Sequence, residues 1–170
     1  MEWQLESEKS KQKPQSMPDL VSKLSRDHSR FLENLLPGLR SLAVQSHNYP
    51  LARFLENMSD ELLIHFRMEE RLVFPLILSR LEHTSQAIEP ALRLACDHMR
   101  EDHRTHMKHL KVLQAFRDQI ARESANKTES GLYVLLETFC AELQEHSDLE
   151  NKTLFRSWPM LEDQTFPGSY

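Results

Sequence analysis

Four stretches of this chain repeat apolar residues at alternating steps of three and four, and that spacing constrains the fold more than any other feature. The first stripe is Leu20, Leu24, Phe31, Leu35, Leu39 and Leu42; the second is Leu51, Leu55, Met58, Leu62, Leu72 and Leu76. The third is Leu92, Cys96, Met99, Leu110, Leu113 and Ile120, and the fourth is Leu132, Leu136, Phe139, Leu143 and Leu154. Residues so spaced share one face of a helix, and that face must be buried. Four such helices joined by short connections bury one another most simply as an all-α, antiparallel up-down four-helix bundle. The chain has 170 residues, enough for one domain with a full core, and only three glycines, too few for a fold of tight hairpins or phosphate-cradling loops.

Punctuation in the sequence sets the boundaries. Ser16, Met17, Pro18 and Asp19 read as a helix entry, and Asn48, Tyr49 and Pro50 close the first helix. Pro37 and Gly38 fall inside that helix, where proline's missing amide predicts a kink or a split. The second helix spans about 51 to 81, with a bend expected at Pro75. Pro90 opens the third. A polar segment over 121–130 precedes the fourth helix, which ends before Pro159. Residues 1–18 and 160–170 are expected to be flexible tails around a bundle of residues 19–159.

Several classes of function are disfavoured by composition. The net charge of −5, with no block of Lys and Arg, argues against nucleic acid as a partner. No apolar run is long enough for a membrane span or a secretory signal, so a cytoplasmic location is expected. Cys96 and Cys140 are too few for a disulfide framework or a cysteine metal site and read as reduced, half-buried thiols. No nucleophile backed by a base and an orienting group is visible, so hydrolysis and group transfer lack support.

The stripes are interrupted by polar residues. His28 lies on the first, His65 and Glu69 on the second, His103 and His106 on the third, His146 and Glu150 on the fourth. Residues four apart on a helix point the same way, so each His–Glu pair projects toward the bundle axis. A buried carboxylate without a partner costs several kcal/mol, a large share of a domain's ~5–15 kcal/mol of stability. Two of them require positive charge between them. Imidazole and carboxylate together suit iron, manganese or zinc, and inward-facing sets of this kind hold metal pairs in helical bundles. Two carboxylates can bridge such a pair while histidines cap each metal, leaving positions open for a small molecule.

The motifs that carry these residues are Asp27-His28, then His65, Glu69, Glu70, Phe74 and Pro75 in HxxxEExxxFP. They continue with Met99 to His103 in MxxDH, and with His146, Glu150, Asn151, Leu154 and Phe155 in HxxxENxxLF. Over about residues 19–159 this pattern resembles the hemerythrin-like, or HHE cation-binding, domain. Within that family it is most similar to the di-iron proteins of iron–sulfur cluster repair and nitrosative stress, which share the spacing of His28, Leu36-Pro37 and His47.

The resemblance implies terminal ligands His28, His65, His103 and His146, bridging carboxylates Glu69 and Glu150, and two iron ions, with other divalent metals able to use the same ligands. The position four residues beyond His103, a histidine in oxygen-carrying hemerythrins, is Met107 here. His106 and His98 therefore remain alternatives on the third helix, with His103 preferred because His98 leaves the stripe. Glu70, one residue off its stripe, is expected at the surface or beside a ligand and dispensable for metal. Phe31, Leu62, Phe66 and Phe139 are expected to wall the site. Met58, Met68, Met99 and Met107 are expected to fill core, and His47, His83 and His109 to be solvated, His47 near the pocket mouth.

The implied function is binding of nitric oxide, and competitively oxygen, at a ferrous pair, in stress response or iron–sulfur cluster repair. An electron donor or an iron–sulfur protein would be the macromolecular partner. An oxygen-binding or redox-sensing module and an iron store or donor are the alternatives.

Overall fold

The computed structural model describes residues 16–82, 89–123 and 127–156. Residues 1–15 of the expected N-terminal tail, the expected C-terminal tail and His83 lie outside the described residues, while Met17 and Pro18, expected in the tail, begin the first helix. Eight segments form four rods. Rod one joins α1 (Met17–Arg30), a π-turn (Phe31–Leu35) and α2 (Leu36–Gln45). Rod two joins α3 (Tyr49–Met68), a second π-turn (Glu69–Val73) and α4 (Phe74–Glu82). Rods three and four are α5 (Glu89–Glu123) and α6 (Lys127–Thr153). The end of rod one packs on the start of rod two, and its start packs on rod two's end, so the two run antiparallel. Rod three packs on rods two and four, and rod four on rod one, which closes a four-helix bundle.

Local chemistry starts and stops the rods where the sequence indicates. The Ser16 hydroxyl accepts from the Asp19 amide at 3.3 Å and caps α1, and Asn48 Oδ1 accepts from the Leu51 amide at 3.2 Å and caps α3. Between α2 and α3, His47 takes a left-handed conformation (φ 55°), and the Asn48 amide turns back to the Ala43 carbonyl at 2.8 Å. His47 donates to or accepts from the Tyr49 hydroxyl at this exposed corner.

The two π-turns correct the expected registers. The Leu36 amide bonds to the Phe31 carbonyl and the Phe74 amide to the Glu69 carbonyl, each reaching back five residues instead of four. In both cases the next residue is proline, Pro37 or Pro75, which has no amide to give and crowds the preceding turn of an α-helix. The expected break at Pro37 thus takes the form of a widened turn. Each π-turn also inserts one residue into the stripe. Leu72, expected in the core, is 43% exposed and Leu76 only partly buried, whereas Val73, Phe74 and Ile77 are buried. In rod one Ala43 is buried where Leu42 was expected. The α5 and α6 stripes contain no such insertion before His146 and are buried throughout.

Apolar packing divides into two cores. The larger gathers Phe31, Leu39, Leu55, Leu62, Leu113 and Phe139 with their neighbours; the smaller gathers Leu24, Phe74, Ile77, Leu92, Met99 and Phe155. Along every rod a polar layer of histidines and glutamates separates them. Cys140 belongs to the larger core and Cys96 to the smaller, both fully buried as free thiols. Burial pushes their thiols up to about 11 and about 12, so neither is a thiolate at neutral pH.

Candidate metal centre

The polar layer brings together the six residues singled out on the stripes. His28, His65, His103 and His146 are 2–3% exposed, and Glu69 and Glu150 are completely buried. Each glutamate approaches one histidine of its own rod and one from a neighbouring rod. Glu69 lies 3.3 Å from His65 Nε2 and 3.2 Å from His28 Nε2; Glu150 lies 3.3 Å from His146 Nε2 and 3.1 Å from His103 Nε2. Two groups result, His28 with His146 and His65 with His103, both sharing Glu69 and Glu150. Within each group the donor atoms lie within 4.8 Å of one another.

Every histidine is oriented by a hydrogen bond from its outer nitrogen. His28 Nδ1 meets Glu70 at 2.8 Å, His65 Nδ1 meets Asp102 at 3.1 Å, His103 Nδ1 meets Asn151 Oδ1 at 3.2 Å, and His146 Nδ1 meets Asp27 at 3.5 Å. An Nδ1–H donated outward leaves Nε2 with its lone pair toward the axis, the form a metal requires. The sequence alone assigns Asp27, Asp102 and Asn151 no such role, whereas Glu70, expected at the surface or beside a ligand, takes the second of those places. The available signal was adjacency. Each of the four directly precedes or follows a candidate ligand, about 100° around the helix, and so faces the next rod. From donating histidine to accepting oxygen, the four bonds run in one sense around the bundle, from rod one to two, two to three, three to four and four to one.

The centre has an internal two-fold repeat. Asp27-His28 on rod one corresponds to Asp102-His103 on rod three, and His65–Glu69 on rod two to His146–Glu150 on rod four. The correspondence extends to the aromatic flank. The Phe155 amide bonds to the Glu150 carbonyl at 3.0 Å, five residues back, as Phe74 does to Glu69. Phe74 stacks on His28 at 5.8 Å, and Phe155 lies 5.7 Å from His103. Phe31 and Phe66 wall the site as expected; Phe66 stacks on His28 at 4.0 Å and Phe31 meets His146 edge-on at 5.4 Å. Leu62 and Phe139 are buried in the larger core beside them.

The electrostatics are those of opposite charges held together out of water. Burial lowers the His65 pKa, but Glu69, Asp102 and Glu150 outweigh it and raise it to about 10. His146 is likewise disfavoured by burial and carried up to about 9 by Glu150, Asp27 and Glu69. Burial and mutual repulsion raise Glu69, yet its histidines hold it below the ordinary carboxylate range, and Glu150 is lowered by His146 and His103 against its burial. None of the four oxygens of Glu69 and Glu150, nor Nε2 of His28 or His146, has a well-aligned hydrogen-bond partner. Buried polar atoms are seldom left so. Six convergent side chains rich in unpartnered lone pairs fit a cation pair, and the mixed nitrogen and oxygen donors suit a transition metal.

The remaining histidines lie outside both groups. His106 is buried edge-on against His65 at 4.7 Å, and its burial, reinforced by repulsion from His65 and His103, pushes its pKa down to about 3, keeping it neutral. His98 stands outside the bundle, 58% exposed, with Nδ1 3.4 Å from Asp102. His109 pairs with Glu61 at 3.4 Å, and His47 lies at the far corner between α2 and α3 rather than at a pocket mouth. Met58 and Met99 are core residues as expected, with Met68 and Met107 partly buried against the two cores.

A helical bundle with a buried layer of imidazoles and shared carboxylates defines a metal-binding protein of the histidine–carboxylate class. The chain belongs to the hemerythrin HHE cation-binding domain family, whose model matches residues 19–158. It is also similar to the iron-sulfur cluster repair protein DnrN of Neisseria gonorrhoeae, at 30% identity over 132 residues, covering 75% of this chain and 80% of that protein. No solved structure matches. Among the described residues no helix is long and apolar enough to cross a membrane.

Proposed function

We propose that this chain is a non-haem di-iron protein that binds a small diatomic, nitric oxide or competitively oxygen, inside the bundle. His28 and His146 would hold one iron and His65 and His103 the other, with Glu69 and Glu150 bridging. The observation that carries the reading is the sharing of both buried carboxylates by two histidine pairs. A ferrous pair, when bound, supplies electron density to a diatomic. The chain's own part is to position and to keep dry. The outer bonds from Glu70, Asp102, Asn151 and Asp27 fix which nitrogen faces inward, and Phe31, Phe66, Phe74 and Phe155 surround the histidines with apolar surface that favours a small uncharged guest over water. Two histidines and two carboxylates per metal leave a six-coordinate ion short of ligands, which gives the guest its place.

The likeness to a cluster repair protein supports a role in nitrosative or oxidative stress and in repair of iron–sulfur clusters, with an iron–sulfur protein or an electron donor as partner. The same likeness favours, as a second reading, an iron donor that does not handle gas. Metal analysis of the purified chain should give two irons. Anaerobic titration of the reduced protein with nitric oxide should then give a nitrosyl absorption that saturates stoichiometrically. A stable oxygenated band in its place would indicate an oxygen-binding module, and the absence of both signals would leave the iron donor. A Glu69→Ala, Glu150→Ala double variant that still held two irons would sink the ligand assignment.

A further inference from the structure

The two-fold repeat of the centre is broken at several positions, and three of the breaks set the surroundings of the two halves apart. Four residues before Asp27 stands Lys23; four before Asp102 stands His98. Three residues after His28 stands Phe31; three after His103 stands His106. Following Glu69 is Glu70; following Glu150 is Asn151. Around His28 and His146 the repeat supplies a fixed cation, an apolar ring and a carboxylate. Around His65 and His103 it supplies two imidazoles and an amide.

We propose that the His65–His103 half is the exchangeable half of the centre, its metal entering and leaving through the adjoining cavity by way of His98 and Asp102. The proposal rests on the two-metal reading above. The cavity, of about 280 Å³, is lined by Glu61, His65, His98, Asp102 and His106 among others, so the inner ligand His65, its partner Asp102 and the exposed His98 share one wall. His98 and Asp102 lie one helical turn apart with their polar atoms 3.4 Å from each other, an exposed imidazole nitrogen beside a part-buried carboxylate that also holds His65 Nδ1 at 3.1 Å. His106, edge-on to His65 at 4.7 Å, adds a third imidazole to the same wall.

The opposite cavity is larger, about 420 Å³, and of the three carboxylates on its wall, Asp27, Glu142 and Glu145, the first two are held by cations. Lys23 holds Asp27 at 2.7 Å, and Arg30 holds both oxygens of Glu142 at 2.7 and 2.8 Å. A metal cation would have to displace an ammonium group to reach Asp27, the carboxylate beside His146, and a guanidinium group to reach Glu142. It would meet the ring of Phe31 where the other side offers His106. Retention differs in the same direction. His28 and His146 are both backed by carboxylates, which make an imidazole a stronger donor, whereas His103 is backed by a neutral amide.

The test is release of iron from the ferrous-loaded full chain to excess ferrozine under anaerobic conditions, after metal analysis. Two phases of one iron each are expected, with rates about tenfold apart, since changing an outer partner typically alters metal affinity 10–100-fold. Asn151→Asp should slow the fast phase toward the slow one. His98→Ala, an exposed change that spares the fold, should slow the fast phase several-fold, and Lys23→His should quicken the slow phase. A single phase releasing both irons from the unmodified chain overturns the proposal, as do two phases whose rates ignore Asn151→Asp and His98→Ala. Two irons released at one rate would leave the two-metal reading standing, whereas a chain that loads fewer than two would overturn both.

Discussion

On one side of the centre His28 and His146 lean on Glu70 and Asp27; on the other His65 and His103 lean on Asp102 and Asn151. The inward distances hardly differ, 3.2 and 3.3 Å from Nε2 to the nearer glutamate on the first side against 3.3 and 3.1 Å on the second. The inner atoms must satisfy one geometry, so they repeat. What stands behind and beside them is free to vary, and there the halves part. The comparison teaches that equal ligands need not make equal sites, because the donor strength of an imidazole depends on what its far nitrogen touches.

The largest effect expected is on what the halves share. Either Glu69→Gln or Glu150→Gln alone should reduce metal content from two per chain to none, read by metal analysis after purification. A variant that keeps one metal would show that each carboxylate serves its own half.

Next comes a position where the repeat fails outright. Phe66, which follows His65, stacks on His28, while its counterpart after His146 is the buried Ser147. Phe66→Ala should cost roughly 3–5 kcal/mol in denaturant unfolding, and Ser147→Ala no more than about 1 kcal/mol. Equal losses would mean that the aromatic wall is not weighted toward the His28 side.

The smallest effect is the pH dependence of the metal-free protein, which one histidine from each half dominates. His65 and His146 titrate near 10 and near 9 when folded, above the 6.5 of an unperturbed histidine. The folded chain therefore holds protons that the unfolded chain has released. Their contribution is complete below about 6.5 and drains away as pH rises through 9 and then 10. Melting temperature should fall across that window. His146→Gln should remove the lower part of the fall and His65→Gln the upper part. Metal should reverse the trend, since it takes the same nitrogens only when they carry no proton. A melting temperature that stays flat from pH 6.5 to 10 would deny the paired state of these histidines.

The sequence displayed much of this design, for definite reasons. The α5 and α6 stripes contain no inserted residue ahead of His146, so period alone located Leu92 to Ile120 and Leu132 to Leu143 correctly. Rod two carries a π-turn, and a reading at constant period put Leu72 and Leu76 where Val73 and Ile77 belong. Nothing local announces such a turn except the proline after it. The six inward residues stood out because a histidine or carboxylate on an apolar stripe is costly. Asp27, Asp102 and Asn151 did not, and Glu70 was left between the surface and a place beside a ligand, because an acidic or amide residue one step off a stripe has the ordinary look of a surface position. Their partners lie on other rods, 37 to 119 residues away in sequence, and only the assembled bundle pairs them.

The widened turn at Glu69–Val73 bears also on how the chain can change length. A π-turn is an α-helix with one residue to spare, so losing one residue there would let the backbone close up with both flanks still facing as before. The same loss at Ile64 would swing His65 and Glu69 by about 100° relative to everything before them, off the axis and into the neighbouring rods. Rod two thus contains one place where a deletion spares the alignment of its two ends, and it lies directly beside the carboxylate that both halves of the centre share.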